Sequence, residues 1–284
     1  MNDFQKKLLE VYESFQKFCK QHDIQYYAYG GTLIGAIRHH GFIPWDDDID
    51  VLMKRPDYEK FCSFRGKVDG HYDIMTEEED NYWLLSLAKY YDTNTTLWEV
   101  EHFPCLTGAY IDVFVLEECD YENALKLRKE YDKWSYCLTY SMMRHTWNQF
   151  WDLVRHGSVR SLIHLVIETC YYCPRQGYYR RKYDDVVNKI RSQKGDRLVS
   201  YDGMYKEKEI YKREWFESSS SMPFETLTIP VPNGYHEILT QVFGNYMQLP
   251  PEDKRVSHHS HYFLDLNRRW TIDEIKKYKR RNSQ

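Results

Sequence analysis

Residues 30–53 read GGTLIGAIRHHGFIPWDDDIDVLM. The run Ile24 to Tyr29 before it is β-branched and aromatic, so it predicts a strand that enters a tight turn at Gly30-Gly31. Leu33 to Arg38 predicts a short helix. Gly41 and Pro44 then break the chain before a second strand, Ile49 to Met53. Asp46, Asp47, Asp48 and Asp50 crowd together as that strand begins. Side chains alternate along a strand, so Asp48 and Asp50 share one face while Ile49 and Val51 share the other. Two carboxylates on one face repel strongly, and a bound divalent cation would offset that repulsion. An oxygen-only donor set favours Mg²⁺ or Mn²⁺ over zinc.

A third carboxylate stands in Ala-Tyr-Ile-Asp-Val-Phe-Val, where Asp112 interrupts a strand that is apolar on both faces. A lone acid there is costly unless it is paired or metal-bound. If that strand lies beside 48–51, Asp48, Asp50 and Asp112 converge as metal ligands and catalytic groups. Gly30, Gly31 and Thr32 would let the backbone approach a phosphate, with the amides of the next helix aimed at it. A calcium loop starting at Asp46 fails, because its sixth position is Val51 and its twelfth is Asp57. Asp46 and Asp47 are expected to shape the turn or to support the metal ligands from behind.

Outward from this centre, Phe4, Leu8, Val11, Phe15 and Phe18 are spaced for an amphipathic helix ending near His22-Asp23. Pro56 suits the first turn of a helix carrying Tyr58, Phe61 and Cys62. Further strands are expected at 72–75, 83–90, 95–100 and 108–116. One helical pattern runs from Tyr121 to about Trp151. Ser218 to Ser221 reads as a loop, the run 224–231 as a strand, and 236–243 as a helix capped by Gly244. The fold class expected is α+β, a mixed sheet flanked by helices with a mainly helical insertion. Its parts are a catalytic core (1–119), a helical, basic and aromatic insertion on the acceptor or membrane side (120–222), and a C-terminal return to the core (223–284). Cys170 and Cys173 have metal-ligand spacing without a second pair, and are expected to be structural thiols.

The chain has 284 residues, with 39 Lys plus Arg against 43 Asp plus Glu, which argues against a nucleic-acid coater. It lacks an apolar run of about 18 residues, so no membrane-spanning helix is expected. The opening residues lack a signal core, so a cytoplasmic protein is expected. Residues 141–183 differ from the rest: seven bases face two acids, with Trp147, Trp151 and five tyrosines interleaved. That pattern suits either an interfacial helix on an anionic membrane, at the inner face of the plasma membrane, or a helical insertion that solvates its arginines.

Gly-Gly-Thr, Asp-x-Asp and a later in-strand Asp resemble the signature of the DNA polymerase beta-like nucleotidyltransferase fold. More closely, residues 30–53 resemble the opening motif of the LicD family, bacterial phosphocholine transferases related to fukutin. LAKYYDTNTT (87–96), YIDVF (110–114), IPVPNGYHEILTQVFGNYMQLPP (229–251) and RVSHH (255–259) follow in the family's order. The resemblance implies transfer of a phospho-alcohol, usually phosphocholine from CDP-choline with release of CMP, to a hydroxyl of a cell-surface glycan, a teichoic acid or a lipid-linked precursor. It also implies that Arg38 and Lys89 neutralise phosphate oxygens and that Arg255, His258 and His259 contact donor or acceptor. Choline would need aromatic faces, which 26 tyrosines could supply without naming any one of them. Two readings compete: an NTP-using nucleotidyltransferase acting on a small molecule, and a non-catalytic nucleotide- or glycan-binding protein.

Overall fold

The computed structural model describes residues 1–76, 87–101, 103–143, 145, 147–257 and 261–282. The strands are β1 (Tyr27–Ala28), β2 (Asp50–Lys54), β3 (Tyr72–Met75), β4 (Ala88–Asp92), β5 (Thr96–Trp98), β6 (Tyr110–Cys119), β7 (Arg197–Val199), β8 (Ile210–Lys212), β9 (Ser219–Phe224), β10 (Leu227–Pro232) and β11 (Phe263–Asp265). The helices are α1 (Asp3–Gln21), α2 (Gly30–Ile34), α3 (Arg55–Cys62), α4 (Tyr121–Met142), α5 (Trp147–His156), α6 (Val159–Ile167), α7 (Gln176–Arg191), α8 (Tyr235–Phe243) and α9 (Ile272–Asn282).

The main sheet is mixed and runs β1-β2-β6-β4-β3, with β7 pairing the far end of β6 and β8 pairing β7. β2 and β6 are parallel, and the other pairs are antiparallel. β6 is the long central strand, and its near-continuous apolar run follows from burial on both faces. α1 is fixed at its start by a capping box between Asn2 and Gln5. Its Leu8, Val11, Tyr12, Phe15 and Phe18 bury one stripe against the sheet. There the Phe15 ring meets Tyr26 at 4.9 Å, Tyr90 at 5.5 Å and Phe61 at 5.9 Å, mostly edge to face. Several of the tyrosines therefore serve as core. A second core joins α4, α7 and the β7–β8 edge through Leu127, Tyr131, Leu138, Tyr183, Val187 and Val199.

Two expectations are corrected. Ser219–Ser221 is strand, not loop, paired with Pro230–Pro232 in the β9–β10 hairpin. The serines are polar because that part of the strand is exposed, so composition misreads it. The long helix from Tyr121 ends at Met142, where Met143 is extended at φ −57° and ψ 136°, and α5 starts afresh at Trp147. The strand expected at 83–90 is described only from residue 87 onward, where Ala88–Asp92 is paired. Its earlier part lies outside the described residues. Gly244 closes α8 with φ 69°, donating its N–H to Thr240 O.

Candidate active site

The parallel register of β2 and β6 sets Asp50 directly beside Asp112. The antiparallel register of β6 and β4 sets Lys89 on the other side of Asp112. Three adjacent strands thus carry Asp50, Asp112 and Lys89 in one row. The Asp112 N–H donates to Ile49 O at 3.0 Å, which extends the ladder past the first residue of β2. Lys89 is buried, donates to Asp112 Oδ1 at 2.7 Å and sits 3.2 Å above the Tyr110 ring. Tyr110 in turn donates its hydroxyl to Glu99 Oε1 at 2.7 Å.

Burial holds the Asp50 carboxyl well above the usual carboxylate range. The like charges of Asp48, Asp112 and Asp46 push the same way, and Lys89 opposes them. Asp48 also helps to raise the Tyr110 hydroxyl, after burial and the nearer Asp112 and Glu99. Asp48, Asp50 and Asp112 therefore belong to one electrostatic neighbourhood. Among the described residues no three His, Cys, Asp or Glu side chains stand in a ready metal-ligating cluster, and Asp112 is turned onto Lys89.

The glycine pair faces these acids. A Cβ on Gly31 would fall 2.4 Å from Asp46 Oδ2, and one on Gly30, which has φ +51°, would fall 3.4 Å from Asp50 Oδ2. A side chain at Gly31 would push the Asp46 carboxylate aside, and the left-handed φ of Gly30 favours glycine there. Thr32 is buried, and its hydroxyl oxygen accepts the Asp50 N–H at 2.9 Å, so it fixes the start of β2. Tyr29 N–H donates to Asp50 O at 3.0 Å on the same segment.

The chain termini close around the loop. Gln5 of α1 donates to Asp46 O at 2.8 Å, and Ser257 donates to Asp47 Oδ2 at 2.8 Å, with His261 3.9 Å from the same oxygen. The Arg255 guanidinium lies 5.8 Å above the Trp45 ring and donates to Pro250 O at 2.9 Å. Arg38 donates to Tyr246 O at 2.6 Å and Gln248 O at 3.4 Å, binding the 30–53 segment to the loop after α8. The structure thus brings Arg255 beside the acidic loop and places Arg38 in the 244–251 contact. His258 and His259 lie outside the described residues. Cys170 is exposed, and Cys173 points its thiol at Met143 O at 3.5 Å.

Behind Asp50 runs a buried polar relay absent from the sequence reading. Tyr29 donates its hydroxyl to Glu209 Oε1, and Tyr205 N–H donates to Glu209 Oε2 at 3.0 Å. Arg128 lies 3.9 Å from the same carboxylate and donates to Ser200 O and Gly203 O. Burial pushes Glu209 up to about 7, against the hydrogen bond from Tyr29 and the charge of Arg128. The signal available in the sequence was Arg128, a cation on the apolar face of α4.

The class of protein comes from comparison with known proteins, by which the chain is a transferase. A family model described as LicD/FKTN/FKRP, nucleotidyltransferase domain, matches residues 23–105. The lipopolysaccharide cholinephosphotransferase LicD of Haemophilus influenzae is 31% identical over 258 residues, covering 88% of this chain and 92% of that protein. Uncharacterised proteins of Rickettsia typhi and Rickettsia prowazekii are each 38% identical over shorter stretches, 56 and 55 residues. The chain belongs to the LicD family.

Proposed function

We propose that the chain transfers phosphocholine from CDP-choline to a sugar hydroxyl of a cell-surface glycan, a lipopolysaccharide or teichoic acid precursor, releasing CMP, and that it does so on a nucleotidyltransferase-like fold. The observation that carries this reading is the register that seats Asp50, Asp112 and Lys89 side by side in a LicD-family chain. Asp48, Asp50 and Asp112 offer only oxygen donors, and after burial the like charges of Asp48, Asp112 and Asp46 help to raise the Asp50 carboxyl, a repulsion that a cation would relieve. They fit Mg²⁺ or Mn²⁺ in donor type and charge. The bound ion would neutralise charge on the diphosphate and on the departing CMP.

The chain's own residues do the rest. Gly30, Gly31 and Thr32 cradle phosphate, and Lys89 turns from Asp112 to a phosphate oxygen. Asp112 either joins the metal ligands or takes the proton of the attacking sugar hydroxyl. That oxygen bonds to the phosphorus bearing choline as the bond to CMP breaks. Arg38, Arg255, His258 and His259 serve the donor or acceptor phosphates, and the enzyme works at the cytoplasmic side of the membrane.

A donor panel tests the reading: CDP-choline, CDP-ribitol, CDP-glycerol, CTP and ATP, with the liberated nucleotide identified, before and after EDTA. CMP from CDP-choline, lost with EDTA and restored by Mg²⁺ or Mn²⁺, is expected. Pyrophosphate from CTP or ATP makes the chain a nucleotidyltransferase instead, and no release from any donor leaves a binding protein.

A further inference from the structure

Most helices of this fold turn their apolar stripe to the core, but α6 turns its stripe to solvent. Val159, Ile163, Val166 and Ile167 recur at i, i+4, i+7 and i+8, the spacing of one helix face. All four are exposed, from 42% for Ile167 to 74% for Val159, while Leu165 is the buried residue of the helix. α5 packs beside α6 and adds exposed Trp151 and Val154 to the same region. This is a contiguous patch rather than scattered surface leucines, and contiguous exposed apolar patches mark binding surfaces.

Its margin is cationic and aromatic. Arg155, Arg160 and Arg175 are exposed, with the Arg175 guanidinium 4.3 Å above the Tyr171 ring. Glu168 is hydrogen-bonded to His145 at 2.6 Å, so that acid is turned to a partner within the fold. Tyr136, Tyr171 and Tyr178 are each about half exposed and lie at the edge of a ring cluster built on Tyr172 and Tyr179. Tyrosine at an apolar–polar boundary keeps its ring in the apolar phase and its hydroxyl in water.

We propose that the α5–α6 face docks on an anionic lipid bilayer, with α6 lying in the interface plane, its stripe at the headgroup–acyl boundary and the arginines on lipid phosphates. Charge selects the lipid over a second copy of the chain. A second copy of this face would bring the same excess of arginines to the contact, whereas an anionic surface meets each of them with opposite charge. No described helix is long and apolar enough to cross a membrane, so the attachment is peripheral. The proposal stands on this surface and holds whether or not the transfer reading does.

The test is co-sedimentation of the full chain with vesicles of phosphatidylcholine alone or with phosphatidylglycerol added, alongside sedimentation velocity without lipid. Binding to the anionic vesicles and weak binding to neutral ones are expected. The pair Arg155→Gln and Arg160→Gln is expected to weaken binding by roughly thirtyfold. The pair Ile163→Asp and Val166→Asp removes the apolar contribution, and melting is expected to fall only slightly because about half of each residue is already exposed. Wild-type protein that ignores anionic vesicles, or either double variant that binds as well as wild type, overturns the proposal. A dimer that the aspartate pair dissociates, with no lipid binding, assigns the face to a second copy and overturns it too.

Discussion

The two ends of the β2–β6 pair carry opposite electrostatic designs. At one end Asp50 lies beside Asp112, and Asp50 feels Asp48, Asp112 and Asp46 as like charges with Lys89 as the opposing one. Five residues along, past the pair of Lys54 and Leu116, Arg55 grips the buried Glu117. Beside it Glu118 meets Arg213 at 2.6 Å and Lys194 at 3.5 Å. At this second, balanced end each acid is met by at least one cation, which is what a buried charge such as that of Glu117 needs in order to support a fold. The first end crowds like charges, and burial together with these charges raises the Asp50 carboxyl while Lys89 opposes them; under the proposed function a bound cation would offset that crowding. The difference sets paired charge against crowded like charge within a single pair of strands, and under the proposed function the crowded end is the working one.

The largest effect that would break this contrast is at the acidic end. Asp50→Asn is expected to lower kcat by more than about a thousandfold, above ~4 kcal/mol in the barrier, while the thermal midpoint holds or rises because a repulsion is relieved. Steady-state kinetics with a melting curve checks both, and an active variant removes the functional role of that end. At the balanced end the outcome inverts. Glu117→Ala leaves Arg55 buried and unpaired and is expected to cost about 3–4 kcal/mol of stability, with kcat per folded molecule unchanged. Joining it with Arg55→Met is expected to recover most of the loss in urea titration. Two single variants with the same profile would erase the distinction.

What could be read beforehand was local. Alternation around Ile49 and the isolation of Asp112 in an apolar strand both follow from period-two geometry, and the structure places them side by side. The sequence spacing also outlined α1, α3, β3 and α8. Register was not readable: nothing near Lys89 says that it will face Asp112, since pairing across strands is settled by the packed sheet. Glu209 was hidden for a similar reason. It sits in Lys-Glu-Lys-Glu, which has the look of a solvated charge run, and only the tertiary approach of Tyr29 and Arg128 buries it. The serines of β9 fail in reverse, because a polar run passes for a loop when its strand is held by a partner's backbone.

Glu209 gives a third and smaller test, because it is a buried acid close behind the acidic end yet paired like the balanced one. Its carboxyl is raised to about 7 from an ordinary 4.5. A folded-state value above the unfolded one means that the folded form binds the proton more tightly. The stabilisation is complete below about 4.5 and is lost as pH rises through about 7, a difference of about 3 kcal/mol. Unfolding free energies of wild type and Glu209→Gln between pH 4 and 8 are expected to diverge, with wild type falling more steeply. Parallel curves would show that Arg128 compensates Glu209 fully and that this site belongs with the balanced end.

The smallest effect sharpens where the acidic end begins. Thr32 Oγ1 accepts the Asp50 N–H at 2.9 Å from inside the core. Thr32→Val keeps the shape and removes the acceptor, so it leaves a buried donor unsatisfied at about 1–2 kcal/mol. If Thr32 only ends a helix turn, stability falls by that amount and kcat does not change. If it aims Asp50 across the sheet toward Asp112, kcat falls by about tenfold as well, while Thr32→Ser, which retains the oxygen, recovers the rate. Comparing the two variants in kcat and in urea midpoint separates support of the strand from alignment of its first carboxylate. A valine variant with full activity confines the working part of the site to the carboxylates and Lys89.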